Sequence, residues 1–391
     1  MSLELNPSYP YSLLAPGPVN LHPEVRKILA EPMIHHRTPE FDQILARALT
    51  GLKKIFQTEE PVYIHTSTGT GGMESLLVNT LSPGDEVFAI VSGKFGERWA
   101  QMAKVFGARV HIHNVSWGQS INPEDLKNHL KLHPNTRAVL CQACETSTGV
   151  AHPIQELAEI CNQHPSTLLL VDGITAVGAY PLPMDQWKID GLVAGSQKAF
   201  MLPTGMSFVS FSKKAWNFID NAQMPRFYFD IRSEKKSNAN GETFFSSAVP
   251  LIKALDFILD LILKKGLTQH FQEIHRRAEA TRIFSQKMGF SLYAKNPSDS
   301  LTALALPSTI DGQKLRLDME KKFNITIMGG QDQAKGKIVR LGHMGYIQDD
   351  EIVRALESLA LSAQKLDGNF ISEEKIKSTI NELKIWLRKN P

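Results

Sequence analysis

The sequence predicts an α/β protein with a mostly parallel central sheet, helices on both faces, and a smaller α+β C-terminal domain. Two observations carry this. From about residue 60 to 215, short runs of apolar residues alternate with stretches of helical spacing. After about residue 248 the alternation stops, and long helical stretches precede a set of strand candidates. Strands buried on both faces and separated by helices imply a parallel sheet covered on two sides.

The strand candidates of the first part are residues 87–91, 138–142, 167–172, 192–195 and 207–211. Between them, Met73, Leu76, Leu77 and Leu81 recur at helical spacing, and Ser82-Pro83-Gly84-Asp85 marks the turn that follows. Ile154, Leu157, Ala158 and Cys161 share another helical face, with Pro153 placed at the helix start. Residues 249–263 read as a long helix stopped by Gly266, and residues 269–289 as a second. Residues 301–306, 325–328 and 338–341 are strand candidates. A helix should follow with Asp349 as N-cap and Ile352, Leu356 and Leu359 on one face. The tail carries Ile376, Ile380, Leu383 and Leu387 on one helical face, for docking on the body or on a partner. The expected organisation is an N-terminal arm (1–19), a large domain (20–267) and a small C-terminal domain (268–391).

Composition excludes several classes. The chain has 391 residues, 42% hydrophobic and 21% charged, which argues against disorder and against a fibre. A net charge of +3, with basic residues only in scattered pairs, does not advertise a nucleic-acid surface. Three cysteines, Cys141, Cys144 and Cys161, do not make a disulfide framework, and the Cys141-x-x-Cys144 spacing sits in an apolar run that suits core packing. No stretch reads as a signal peptide or a bilayer span, so a soluble cytoplasmic protein is expected.

Chemistry is expected beyond the carboxyl ends of the strands. Ser67-Thr68-Gly69-Thr70-Gly71-Gly72 directly precedes a helix. Small residues at a helix N-terminus suit a phosphate, although a structural turn explains the same run. Asp172 ends a run of apolar residues, where it is either a desolvated carboxylate seeking a cation or a helix cap. Lys198, in Gly195-Ser196-Gln197-Lys198, follows another apolar run. It is either a surface lysine or an amine made nucleophilic by burial. Together, a phosphate cradle, a carboxylate and a lysine are the parts that a pyridoxal phosphate site needs.

With these residues the sequence resembles the class V aminotransferases, within the fold-type I pyridoxal phosphate-dependent transferases. The likeness is greatest to the alanine–glyoxylate and serine–glyoxylate (serine–pyruvate) group. It runs from Leu14-Ala15-Pro16-Gly17-Pro18-Val19-Asn20 to about Leu361. Its markers include Glu145-Thr146-Ser147-Thr148-Gly149-Val150, Val171-Asp172-Gly173, Gly195-Ser196-Gln197-Lys198-Ala199, Met328-Gly329-Gly330 and Val339-Arg340-Leu341-Gly342.

The resemblance implies pyridoxal 5'-phosphate as cofactor, Lys198 as its Schiff-base lysine and Asp172 as partner of the pyridine nitrogen. It implies Thr68, Gly69, Thr70 and Gln197 on the phosphate side, Phe95 stacked on the ring, and Thr146 beside it. Arg340 matches the arginine that grips the substrate carboxylate, and Gly17 lies on the substrate side. A homodimer with shared sites is implied as well. Ser246 stands where relatives place a phosphate-binding Thr from the neighbouring subunit, while Thr243 replaces a Tyr and leaves that contact open. His35-His36-Arg37 would lie near the site mouth.

The implied reaction moves an amino group from a small L-amino acid, alanine or serine, to a 2-oxo acid such as glyoxylate or pyruvate. The alternatives are another donor such as aspartate, a class V lyase, or a structural or accessory protein on a dead aminotransferase fold. A desulfurase needs a cysteine on a late loop, and this sequence has none beyond residue 161.

Overall fold

The computed structural model describes residue 6 and residues 8–390. The expected arm therefore begins in residues that lie partly outside the described ones.

Seven strands build the central sheet: β1 (Val62–His65), β2 (Glu86–Val91), β3 (Arg109–Asn114), β4 (Thr136–Gln142), β5 (Leu168–Asp172), β6 (Gly191–Gly195) and β7 (Ser207–Phe211). Their spatial order is β1-β7-β6-β5-β4-β2-β3. All neighbours are parallel except β7, which runs antiparallel to both β1 and β6. The helices that cover and extend this sheet are α1 (Pro39–Phe56), α2 (Gly69–Thr80), α3 (Lys94–Val105), α4 (Pro123–Leu132), α5 (Ile154–Asn162), α6 (Val249–Lys265) and α7 (Leu267–Lys287).

The inner strands are largely apolar because successive side chains enter different cores. Leu169 and Val171 of β5 join α1, α5 and α6 on one face, through residues such as Leu52, Leu157 and Leu255. Leu168 and Leu170 join Met73, Leu76 and Leu77 of α2 on the other. Each buried Leu or Val of this kind contributes about 1.5–3 kcal/mol. The cysteines belong to this interior and are free thiols.

The C-terminal part is an antiparallel sheet of β8 (Ser291–Leu292), β9 (Leu301–Ala305), β10 (Met328–Gly329) and β11 (Ile338–Gly342), in the order β8-β9-β11-β10. Helices α8 (Gly312–Phe323), α9 (Asp349–Leu366) and α10 (Glu373–Lys389) pack with it around a separate core. In α10, Ile376, Ile380, Leu383 and Leu387 are all buried there, so the tail docks on the body.

Two local expectations change. The strand expected at 325–328 divides: Ile325–Thr326 pairs in parallel with Ser12–Leu13, while Met328–Gly329 joins β11. Between them the Ile327 carbonyl accepts from Arg316 Nε (2.8 Å), which takes it out of the ladder. The N-cap of α9 is Gln348 rather than Asp349, in a capping box with Glu351. Asp349 is instead paired with Arg276. Among the described residues no helix is long and apolar enough to cross a membrane.

Candidate active site

The sequence-predicted residues converge where β5 and β6 end and α2 begins. Lys198 lies in the turn after β6 and is buried. Its Nζ donates to the Pro16 carbonyl at 2.6 Å. That carbonyl belongs to a strap that crosses the site: Gly342 N–H donates to Leu14 O (2.7 Å), and Val19 N–H to Gln197 O (3.2 Å). Gly17 is the strap's nearest approach. It has φ +113°, and a Cβ there would stand 2.4 Å from Lys198 Nζ. Only glycine meets both conditions. Burial lowers the Lys198 amine to about 8.

Asp172 closes β5 and is buried. Its Oδ1 accepts from Ile174 N–H at 2.9 Å. Among the described residues no cationic side chain bonds it. Burial therefore dominates and raises the carboxyl to about 7.

Helix α2 starts with no capping side-chain bond from Thr68 and no acidic residue in its first turn. Its N–H groups and dipole point positive potential into the site. A Cβ on Gly69 would lie 2.5 Å from Ile174 Cδ1, so α2 packs this tightly on the loop after β5 only with glycine. Thr70 Oγ1 accepts from Arg98 (3.2 Å), whose guanidinium also lies 4.9 Å from the Phe95 ring centroid. Gln197 Oε1 is buried without a partner among the described residues.

On the opposite wall, Arg340 of β11 is buried, and burial lowers it to about 10. Its Nη1 donates to Thr146 O (2.7 Å) and its Nε to Gly329 O (3.0 Å). No carboxylate pairs with it among the described residues. Thr146 Oγ1 is hydrogen-bonded to Thr175 Oγ1 at 2.7 Å.

Ser246 is not bonded into this group. It is exposed, beside Thr66 and Tyr228 at a small cavity. Thr243 is buried within its own loop, bonded to Phe245 O (2.7 Å) and Ser247 Oγ (2.6 Å). Arg37 reaches that loop at Glu242 and Thr243, and His35 stacks on His36.

Sequence reasoning assigned no role to Glu145, which is fully buried. Its carboxylate accepts from the N–H groups of Phe95 (3.1 Å), Gly96 (3.0 Å) and Ser147 (3.1 Å). It thereby ties the first turn of α3, which carries Phe95, to the loop that carries Thr146. The only signal was an acidic residue at the end of an apolar run.

Three features fit pyridoxal phosphate. Among the described residues a buried carboxylate has no cationic partner, a buried amine is bonded to a carbonyl, and a helix N-terminus has neither a capping side-chain bond nor an acidic residue in its first turn. One molecule bearing a pyridine nitrogen, an aldehyde and a phosphate answers all three. The fold and this site define a pyridoxal 5'-phosphate-dependent enzyme of fold type I. Residues 21–360 match the family model for Aminotransferase class-V, and the chain belongs to that family of transaminases.

The chain is 37% identical over 351 residues to the soluble hydrogenase small subunit of Synechococcus sp. (strain PCC 6716), covering 89% of this chain and 91% of that one. It is 36% identical over 345 residues to the L-aspartate–glyoxylate aminotransferase of Paracoccus denitrificans, covering 86% and 87%. Among solved structures, the alanine–glyoxylate aminotransferase of Nostoc sp. superposes with a TM-score of 0.86 at 29% identity, covering 92% of this chain and 97% of that one.

Proposed function

We propose that this enzyme transfers an amino group from a small L-amino acid, alanine or serine, to a 2-oxo acid such as glyoxylate or pyruvate. The observation that carries the reading is the convergence of Lys198, Asp172 and the open α2 N-terminus opposite Arg340. Relatives named for glyoxylate support the acceptor.

When bound, the cofactor supplies an electron sink for charge developing at the substrate Cα. Asp172 would keep a proton on the pyridine nitrogen, which gives the desolvated carboxylate its missing cation. The α2 N-terminus, with Thr68, Gly69 and Thr70, would hold the phosphate. Gln197 and Phe95 would bound the cofactor, with Thr146 at the ring edge. Lys198 would take the Cα proton as general base and return it on the cofactor side. Its lowered pKa places more of it in the neutral form near pH 8 than an exposed lysine. Arg340 would grip the α-carboxylate of each substrate in turn, since its guanidinium has no acid of its own.

A second reading, with aspartate as donor, is favoured by Arg316. Its Nε holds Ile327 O, and its Nη1 lies 3.1 Å from where a Cβ on Gly329 would stand. It has no carboxylate partner among the described residues. A second unpaired cation next to the Gly329 carbonyl that holds Arg340 suits a second substrate carboxylate. The lyase reading gains nothing from the cysteines, because burial holds Cys141 and Cys144 protonated, Cys144 near 12.

The reading includes a homodimer and a cytoplasmic location. Phe227 (79% exposed), Tyr228 and Phe244 cluster with Phe245 at the surface beside Ser246, a patch suited to a second copy. Sedimentation velocity and cell fractionation test these two points.

The function is tested by following the cofactor's absorbance while alanine, serine or aspartate is added, then glyoxylate. Conversion to the aminated cofactor by one of these donors, reversed by glyoxylate, is expected. A band that no amino acid changes contradicts the proposal.

A further inference from the structure

A second cluster of chemistry-bearing side chains lies at the edge of the central sheet, three strands from Asp172. Edge strand β3 points His111 and His113 to one face, and α4 brings His129 near its last turn and His133 at its C-cap over that face. Four of the 13 histidines thus share one corner of the molecule. The ring centroids of His111 and His133 are 4.4 Å apart, and those of His129 and His133 4.6 Å. Glu86, at the start of β2, faces the same corner, with Oε2 3.6 Å from His111 Nε2. Its Oε1 is taken by Arg109 (3.2 Å), which leaves Oε2 for the histidine side.

We propose that Glu86, His111 and His133 form a binding site for one divalent transition-metal ion of the zinc class. One ligand atom from each residue lies within 4.8 Å of the others, and all three side chains are half-buried, open to entry from solvent. Zinc bonds of about 2.0–2.2 Å place ligand atoms about 3.4 Å apart in a tetrahedron, so modest side-chain rotation closes the site. Two imidazoles and one carboxylate make a common zinc ligand set, with the fourth position left to water.

The neighbouring side chains hold the ligands in place. His129 stacks on His133 and lies tilted against Phe88, and its Nε2 is bonded to Thr136 Oγ1 at 3.2 Å. The Thr136 hydroxyl in turn donates to the His133 carbonyl at 2.8 Å. His113 is held by Asp125 (3.3 Å), outside the trio. Bound metal would tie edge strand β3 to β2 and to the C-terminus of α4, pinning the sheet's open edge.

The experiment is zinc titration of tag-free holoenzyme, followed by calorimetry and by thermal unfolding. Wild type should bind one ion per chain at this site and melt at a higher temperature with zinc. His111→Ala and His133→Ala, both at half-exposed positions, should each weaken binding at least about tenfold and abolish the thermal shift. The double variant His35→Ala/His36→Ala tests the other adjacent pair of imidazoles and should bind like wild type. Transaminase turnover without zinc should match wild type in His111→Ala and His133→Ala. Equal zinc binding by wild type, His111→Ala and His133→Ala, or loss of binding only in the His35/His36 variant, would overturn the assignment. So would the absence of any binding by wild type.

Discussion

Lys198, Asp172 and Arg340 are charged side chains that the fold has desolvated, and each makes a separate prediction. Lys198→Ala should lower kcat by about 10²–10⁴ or more in steady-state assays, the range lost with a general base. Arg340→Ala should raise KM and lower kcat together, as the loss of a positioning clamp does. For Asp172 the pH dependence is informative. Its folded carboxyl titrates near 7 rather than 3.8, so between those values the folded apoprotein binds more protons than the unfolded chain. Apoprotein stability therefore falls as pH rises through that window. Lys198, lowered from 10.5 to about 8, acts the other way at higher pH: stability rises between those values. Asp172→Asn should thus stabilise the apoprotein at pH 8 by up to about 4 kcal/mol and leave it little changed at pH 4. The same variant should bind the cofactor more weakly. Thermal melts of the apoproteins and cofactor titration check both halves. Asp172 and Lys198 were legible because a charge at the end of an apolar run stands out in one dimension, whereas Arg340, inside the strand Ile338–Gly342, was legible only through the family resemblance. Glu145 was not, since two of the backbone N–H groups it accepts from, those of Phe95 and Gly96, come from α3, across the site.

Strands were legible where burial on both faces comes with a long apolar run; β1, buried throughout, has only Val62-Tyr63-Ile64 before His65. β2, β4, β5, β6 and β7 are mostly apolar, and the sequence places all five. It misses β1 and β3. In β3 (Arg109–Asn114), an edge position leaves charged and histidine side chains half in solvent, so no apolar run marks it. In β1 the buried His65 bonds Ser75, a contact with α2 that the strand's own sequence does not announce. The loop ends that carry the site depend on Glu145. Glu145→Ala would leave the Phe95, Gly96 and Ser147 N–H groups buried without their acceptor. It should cost about 3–5 kcal/mol, measured as a shift in denaturant midpoint. At the strap, Gly17→Ala should displace Lys198, because the added methyl occupies the amine's place at 2.4 Å. Cofactor affinity should fall with little change in helix content.

At the scale of the molecule, the strap before residue 20 and helix α10 join parts that are distant in sequence. Ser12–Leu13 pairs with Ile325–Thr326 while Pro16 meets Lys198, so the N-terminal segment links the C-terminal unit to the central sheet. Such long-range pairing is invisible to periodicity, which is why the residues of the strap were legible only as a motif. We propose that this architecture places the cofactor on Lys198. Borohydride reduction of holoenzyme fixes the cofactor to whichever amine it is joined to, and peptide mapping by mass spectrometry finds that amine. The pyridoxyl mass is expected on the peptide containing Lys198, and none in Lys198→Ala. Label on another lysine, or an unlabelled Lys198 peptide in active protein, would contradict it.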